Sequence, residues 1–428
     1  MRRVILASLL ADLLILAGLI TLQGVFITLA LPILLYLLAG LIFAPEKIEL
    51  RAARTLTLER VAPGDPLDIT LTIANAGGAL DEVLLEDLLP PGLEVIEGST
   101  RRLMSLKAKE TITWTYTVRA PRGYYPFNDL KVTARDRLGL IVREQIVEAP
   151  GRFFVIPIAA RVRRIAIRPR QTRVYSGMIP ARQGGAGVEI FGVREYQPGD
   201  PLHWINWRAT ARHPQAVFSN EYEQERVGDV GIILDGRRRV NEFGPGRSIF
   251  EYSVQAAASL ADSFLNSGNR VGLLLYGKIV NWTTPGYGKL QREKIMHALS
   301  LAHAGETHFP ELIIPRRLFP AYSQMVLISP LENSDLGMLV KMRSAGYQVI
   351  VISPDPVSYE SAGLPQTKST ELAARIVRLE RQMLLRRAQH AGVQIINWDV
   401  AQPFEQIVSA WLSRPPAWLR AINVGDRP

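Results

Sequence analysis

The stretch Val230-Gly231-Ile232-Ile233-Leu234-Asp235-Gly236-Arg237-Arg238-Arg239 decides how the C-terminal half is read. A short apolar run that stops at a carboxylate and a glycine reads as a strand buried on both faces, delivering Asp235 to its carboxyl end. The motif recurs downstream. Apolar runs at Val271 to Tyr276, Met325 to Ser329, Gln348 to Ile352 and Gln394 to Trp398 alternate with amphipathic stretches at Arg247 to Asn266, Gln291 to His303, Asp335 to Ala345 and Thr370 to Ala391. Such alternation predicts an α/β domain over residues 229–428, a parallel sheet covered on both faces. Ligands of these sheets bind beyond the carboxyl ends of the strands, where Asp235 stands.

Upstream, from Arg54 to about Val147, the period changes to two. Leu67-Asp68-Ile69-Thr70-Leu71-Thr72-Ile73 and Thr111-Ile112-Thr113-Trp114-Thr115-Tyr116-Thr117-Val118 alternate apolar and polar residues, and Pro63-Gly64-Asp65, Asn75-Ala76-Gly77-Gly78, Pro90-Pro91-Gly92 and Pro121-Arg122-Gly123 mark turns. Half-buried strands at this spacing predict an immunoglobulin-like β-sandwich over 46–150, a spacer or binding module.

The N-terminus carries two apolar runs, Val4 to Leu22 and Val25 to Ala44, joined by Gln23-Gly24. Each is about as long as a helix needs to cross a roughly 30 Å hydrocarbon layer, so residues 1–45 read as a transmembrane hairpin. Arg2 and Arg3 precede it and Lys47, Arg51 and Arg54 follow it, while the turn is uncharged. The positive-inside bias then places both ends and all later residues in the cytoplasm, at the cell membrane. Asp12 sits within the first run, where helix packing is the expected role.

Residues 151–228 contain a basic connector with Arg161, Arg163, Arg164, Arg168, Arg170 and Arg173. It suits a solvated linker, docking on anionic headgroups or, third, contact with nucleic acid. The 428 residues are 47% hydrophobic and 21% charged, with a net charge of +10 and no cysteine. A sizeable core is possible, and thiolate nucleophiles and sulfur-bound zinc are excluded. His203, His213, His297, His303, His308 and His390 form no zinc spacing, and no Walker-type loop occurs; Gly184-Gly185-Ala186-Gly187 reads as a flexible loop. Neither catalytic residues nor a cofactor are expected.

The connector ends in Arg194-Glu195-Tyr196-Gln197-Pro198-Gly199-Asp200-Pro201, then Trp204-Ile205-Asn206-Trp207-Arg208-Ala209-Thr210-Ala211-Arg212 and Glu221-Tyr222-Glu223. Pro198-Gly199 suits a type II turn, and the two tryptophans would bury a large area. Arg194, Glu195, Asp200, Arg208, Arg212 and Glu221 suit an ion network that locks the segment, or else a partner-docking surface. With Arg122-Gly123-Tyr124-Tyr125 and Asp136-Arg137-Leu138-Gly139-Leu140 upstream, this signature resembles the bacterial family called domain of unknown function 58.

That resemblance implies a membrane-tethered protein with a von Willebrand factor A-like, Rossmann-like α/β domain, often encoded beside a MoxR-type AAA+ ATPase, and no established enzymatic reaction. Von Willebrand factor A domains commonly hold a divalent cation through Asp-x-Ser-x-Ser, a threonine and a further aspartate. Here the first loop reads Asp235-Gly236-Arg237-Arg238-Arg239, and Ile328-Ser329-Pro330 stands where Ser-Asp is expected. Only Asp235 and Thr307 remain as ligands, so no functional metal site is expected. Arg237, Arg238 and Arg239 suit either an anion-binding patch or a solvated turn. The resulting expectation is a non-enzymatic adaptor for protein partners, a MoxR-type ATPase among them. The alternatives are a nucleic-acid binder stacking bases on Trp204 and Trp207, or a cell-envelope hydrolase.

Overall fold

The computed structural model describes residues 2–42, 47–135, 141–162, 173–184, 190–213, 215–241, 248–306, 312, 315, 317–321 and 323–412. The chain divides into two compact units, Met1–Ile156 and Pro157–Pro428.

The first unit begins with two apolar helices, α1 (Arg2–Thr21) and α2 (Gly24–Ile42), packed on each other. Small residues set their approach: Ala11 and Ala30 are buried, and a Cβ at Gly18 would meet Ile27 Cγ1 at 2.8 Å. Leu6, Leu9, Leu13, Leu16 and Leu19 point outward, as does Asp12. Over Val4–Thr21 the mean hydropathy is 2.5, and α1 is long and apolar enough to cross a membrane; Gly24–Gly40 is a shorter apolar stretch.

Among the described residues nine strands follow: β1 (Leu50–Leu56), β2 (Arg60–Val61), β3 (Leu67–Asn75), β4 (Leu80–Asp87), β5 (Glu94–Glu97), β6 (Arg101–Leu106), β7 (Thr111–Arg119), β8 (Gly123–Arg135) and β9 (Val142–Val155). They form two sheets, β1-β3-β7-β5 and β2-β9-β8-β4-β6. The period-two alternation sends Ile69, Leu71 and Ile73 of one sheet and Val83, Leu85, Leu130 and Val132 of the other into a single core. The last strand runs past the expected boundary at 150. Tyr125 Oη donates to the Pro121 carbonyl at 2.9 Å, pinning the start of β8.

Inside this core lies a fully buried ion pair. Arg54 Nη2 donates to Asp87 Oδ1, Arg54 Nη1 donates to the Ala149 carbonyl, and Tyr116 Oη donates to Asp87 Oδ2. The Arg54 guanidinium carbon also lies 4.4 Å from the centre of the Phe127 ring. Burial, reinforced by the Asp87 carboxylate, pushes the Tyr116 phenol well above its ordinary range, so it stays a donor.

The second unit opens where a connector was expected, and much of that segment is a small sheet in the order β10-β12-β11. It comprises β10 (Arg173–Gly184), β11 (Ile190–Glu195) and β12 (Phe218–Val227), with the short helix α3 (Trp207–Arg212) between the last two. Of the arginine-rich stretch, residues 163–172 lie outside the described residues, as do 185–189 of the glycine-rich loop and 136–140.

The α/β domain then runs β13 (Asp229–Asp235), α4 (Arg238–Asn241), α5 (Ile249–Asn266), β14 (Arg270–Tyr276), β15 (Asn281–Gly286), α6 (Gly288–Ser300), β16 (Gln324–Ile328), α7 (Asp335–Ser344), β17 (Gln348–Pro354), α8 (Pro356–Gly363), α9 (Lys368–His390), β18 (Gln394–Trp398) and α10 (Phe404–Leu412). Its sheet has the order β15-β14-β13-β16-β17-β18, parallel except for β15, which pairs antiparallel with β14. Alternate strand residues feed opposite cores: Ile232, Leu234, Ile328 and Ile352 meet α5, α6 and α10, while Ile233, Leu327 and Val351 meet α7 and α9.

The buried pair of the sandwich gives a direct stability test. Asp87→Asn leaves Arg54 desolvated without its counter-charge and is expected to lower the sandwich's unfolding free energy by about 3–5 kcal/mol. Tyr116→Phe removes one donor to a carboxylate and should cost about 1.5–3 kcal/mol. Denaturant unfolding of the full chain followed by tryptophan fluorescence, taking as the sandwich's the transition that a Trp114→Phe control removes, reads both; losses under about 1 kcal/mol for Asp87→Asn would contradict the assignment.

Candidate functional site

The parallel strands β14-β13-β16-β17-β18 place the site by topology. From β13 the chain steps to β14 on one side, then crosses back to β16 on the other, so the winding reverses between β13 and β16. A crevice opens at the carboxyl ends of two such strands, where open α/β sheets bind ligands. Asp235 ends β13 and Ser329 directly follows β16, so both residues border that crevice.

Arg237 fills it. The Asp235 carboxylate accepts from the Arg237 backbone N–H at 3.1 Å, from Nε at 2.9 Å and from Nη2 at 2.7 Å. Ser329 Oγ donates to Asp235 Oδ2 at 2.7 Å. The same Arg237 Nη2 reaches Asp335 Oδ2 at 2.8 Å, and that oxygen also accepts from the Glu332 N–H at 2.9 Å. Asp235 is 0% and Arg237 1% exposed. Burial works against the arginine's charge, but hydrogen bonds and attraction from Asp235 and Asp335 outweigh it and hold the guanidinium above its ordinary range.

The backbone fixes this geometry. Gly236 N–H donates to the Tyr276 carbonyl, and a Cβ at Gly236 would collide with that oxygen, so the turn requires glycine. Arg238 N–H donates to the Gly305 carbonyl at 3.0 Å and Gly305 N–H to the Gly236 carbonyl at 2.9 Å. Asn241 Nδ2 ties off the carbonyls of Asp235 at 2.8 Å and Arg237 at 2.9 Å. Leu331 takes φ +65° and donates its N–H to Ser329 Oγ at 3.0 Å, which aims the hydroxyl at Asp235.

More oxygens converge here than the sequence reading counted. Asp335, the first residue of α7, and Ser329 join Asp235, whereas Thr307 lies outside the described residues. These donors do not fit a divalent cation while Arg237 is in place, because a fixed positive charge already spans both carboxylates. The three arginines do not make a shared anion patch either. Arg237 is consumed by two carboxylates, Arg239 Nη2 pairs with Glu332 Oε2 at 2.9 Å, and Arg238 faces outward.

A second buried arginine, unremarked in the sequence, closes the neighbouring edge. Arg381 of α9 donates to the Pro330 carbonyl at 2.6 Å, to Ser353 Oγ at 2.8 Å and to Asn397 Oδ1 at 2.9 Å, with Nε 3.2 Å from Asp355 Oδ1. Burial lowers its pKa and Asp355 offsets part of that. Beside it lies a cavity of about 360 Å³ bordered by Asp355, Arg378, Arg381, Asn397, Asp399 and Gln402. Arg381 lies on one helical stripe with Leu384, Leu385 and Ala388, so periodicity marks its face, but its charge argued against burial.

The signature segment links β11 to β12. Gly199 has φ +111° and Asp200 N–H donates to the Gln197 carbonyl at 3.0 Å, so the expected turn forms at Pro198-Gly199. Arg194 Nη2 pairs with Asp200 Oδ1 at 2.7 Å and Arg194 Nη1 donates to the Glu195 carbonyl at 3.0 Å, while the Glu221 carboxylate lies close enough to favour the Arg194 charge. Hydrogen bonds from Arg194 and the Gln197 N–H hold Asp200 below the usual carboxylate range. Tyr196 Oη donates to the Asp200 carbonyl at 3.3 Å, and Asn206 caps α3 by accepting from Ala209 N–H at 2.9 Å. The six-residue network is thus smaller than expected: Glu195, Arg208 and Arg212 point outward. Trp204 is half-buried, but Trp207 is 71% exposed, against the expectation that both rings bury. The cap at Asn206 turns position 207 toward solvent.

Residues 192–354 match the family model described as "Protein of unknown function DUF58". The chain is 29% identical over 278 residues to "Uncharacterized protein YeaD" of Bacillus subtilis, a match covering 64% of this chain and 67% of that protein. An uncharacterized protein of Mycobacterium tuberculosis is 36% identical over 108 residues, 24% of this chain and 30% of its own length. Among solved structures, the CARDB domain of a Pyrococcus furiosus protein matches 26% of this chain and 90% of that chain at 16% identity and a TM-score of 0.19. A cupredoxin domain from Nitrosocaldus yellowstonii matches 26% and 89% at 9% identity and a TM-score of 0.20. Likenesses at such scores carry no functional weight. The family match thus runs from within β11 to the end of β17, and it is similarity over that stretch that ties the chain to the DUF58 proteins.

Proposed function

We propose that this chain is a non-enzymatic adaptor, anchored in the cell membrane by two N-terminal spans, with its later domains in the cytoplasm. Its α/β domain works as a von Willebrand factor A-like module whose metal position has been replaced by an arginine. The observation that carries this reading is Arg237 Nη2 lying 2.7 Å from Asp235 and 2.8 Å from Asp335. A module of that kind binds partners through a divalent ion; here an internal cation already balances the carboxylates, so recognition has to use side chains elsewhere.

The signature helix supplies them. Trp207 is 71% and Leu202 73% exposed, and Arg208 and Arg212 extend beside them. Exposed tryptophan and arginine side by side on a rigid turn are the residue types that anchor protein interfaces. By family resemblance the partner is a MoxR-type AAA+ ATPase.

Two measurements test the reading. The detergent-solubilised full chain is expected to retain the MoxR-type ATPase of its own organism in a pull-down, and Trp207→Ala with Arg212→Glu should abolish retention while thermal unfolding stays unchanged. Equal recovery from wild type, the double variant and an unrelated membrane protein would sink the adaptor proposal. Arg237→Met removes the internal cation and leaves two buried carboxylates unbalanced, so it should lower the α/β domain's stability by about 3–5 kcal/mol. Adding Asp335→Asn should recover part of that loss through coupling within one network; an Arg237→Met variant as stable as wild type would show that the triad does not hold this edge.

A further inference from the structure

We infer that α9 pairs in parallel with α9 of a second copy of this chain. The helix spans 23 residues, begun by a capping box in which Thr367 and Thr370 satisfy each other's backbone N–H groups. It buries Arg381, Leu384, Leu385 and Ala388 against its own domain, where it packs on α7, α8 and β18. The opposite face is apolar as well. Leu372 is 59%, Ile376 51%, Leu379 54% and Met383 52% exposed.

The spacing of these four residues is four, three, four, which is a heptad seam with Leu372 and Leu379 at d and Ile376 and Met383 at a. The buried residues then fall at b, c and f, so one helix carries two separate apolar faces. A face used only for internal packing would not continue onto the far side with a different register. Ser369 and Arg386 occupy the next a and d positions, which limits the seam to its four apolar members.

The charges beside the seam select the occupant. In a parallel pair each g residue meets the e residue five positions later on its partner. Here g is Arg375 and e is Glu380, both exposed, so two symmetric ion pairs form. The next such contact joins Gln382 to Arg387, without like-charge conflict. An antiparallel pair would instead set Arg375 near Gln382 and Glu380 near Ala373, which satisfies neither charge. β-Branched Ile376 at a with leucine at d also favours two strands over three or four.

The chain has no cysteine, so single cysteines report the pairing cleanly in the full chain in native membranes. Under mild oxidation Ile376→Cys and Leu379→Cys should each form a disulfide with the same residue of a second copy, doubling the apparent mass, while Arg378→Cys at position c should not. In the Leu379→Cys background, Arg375→Glu or Glu380→Arg should each abolish the crosslink, and the two together should restore it. No self-crosslink from either seam position would overturn the proposal, as would a link formed only between Ile376→Cys and Leu379→Cys chains mixed together, the antiparallel signature. A crosslinked band of any mass other than twice the chain would assign the seam to a different protein and overturn it too.

Discussion

A buried guanidinium bridging two carboxylates organises the business edge of the α/β domain. Arg237 lies between Asp235 from the first parallel strand and Asp335 from the start of α7, so it joins elements nearly one hundred residues apart across the point where the sheet reverses its winding. The same contact closes the crevice that the topology opens. A mobile ion there would come and go with its concentration, whereas a side chain on a loop held by backbone bonds at Gly236 and Gly305 and by the Asn241 side-chain amide stays. The edge that other sheets of this class keep for ligands is here a fixed structural joint.

The sandwich solves a similar problem in a similar way. Arg54 and Asp87 are fully buried, with Tyr116 and the Ala149 carbonyl taking up remaining hydrogen bonds. Such pairs are poor sources of net stability, since an apolar replacement often does as well, but breaking one partner is severe. Together with Arg381, which gathers the carbonyl of Pro330 and the polar groups of Ser353 and Asn397, they show arginine used repeatedly as an internal tie in a chain with a net charge of +10. Each of these arginines is matched by a buried aspartate, so none of them contributes to the excess positive charge, which the rest of the chain carries.

Much of the fold was legible because strand burial leaves a plain periodic trace. The alternation in β3 and β7 and the unbroken runs of β13, β16 and β17 needed no tertiary knowledge. The misses have physical causes. β15 is a short, largely exposed edge strand with a proline and two glycine-adjacent turns, so it carries little apolar signal. The sheet of β10, β11 and β12 went unread because its strands lack a sustained apolar-polar alternation, with a glycine and a proline inside β10. Asp335 was invisible as a site residue because an aspartate in the first turn of a helix is common for reasons of the helix dipole alone. Trp207 misled because tryptophan usually buries, and only the Asn206 cap shows which way the helix turns.

With Arg237 spanning both carboxylates, a metal ion has no place in the crevice between β13 and β16. Electron paramagnetic resonance of free manganese during titration of the purified full chain measures this directly. The expected result is that free manganese tracks the amount added, with no saturable step in wild type. Stoichiometric uptake of one ion per chain that disappears in Asp235→Ala would contradict it.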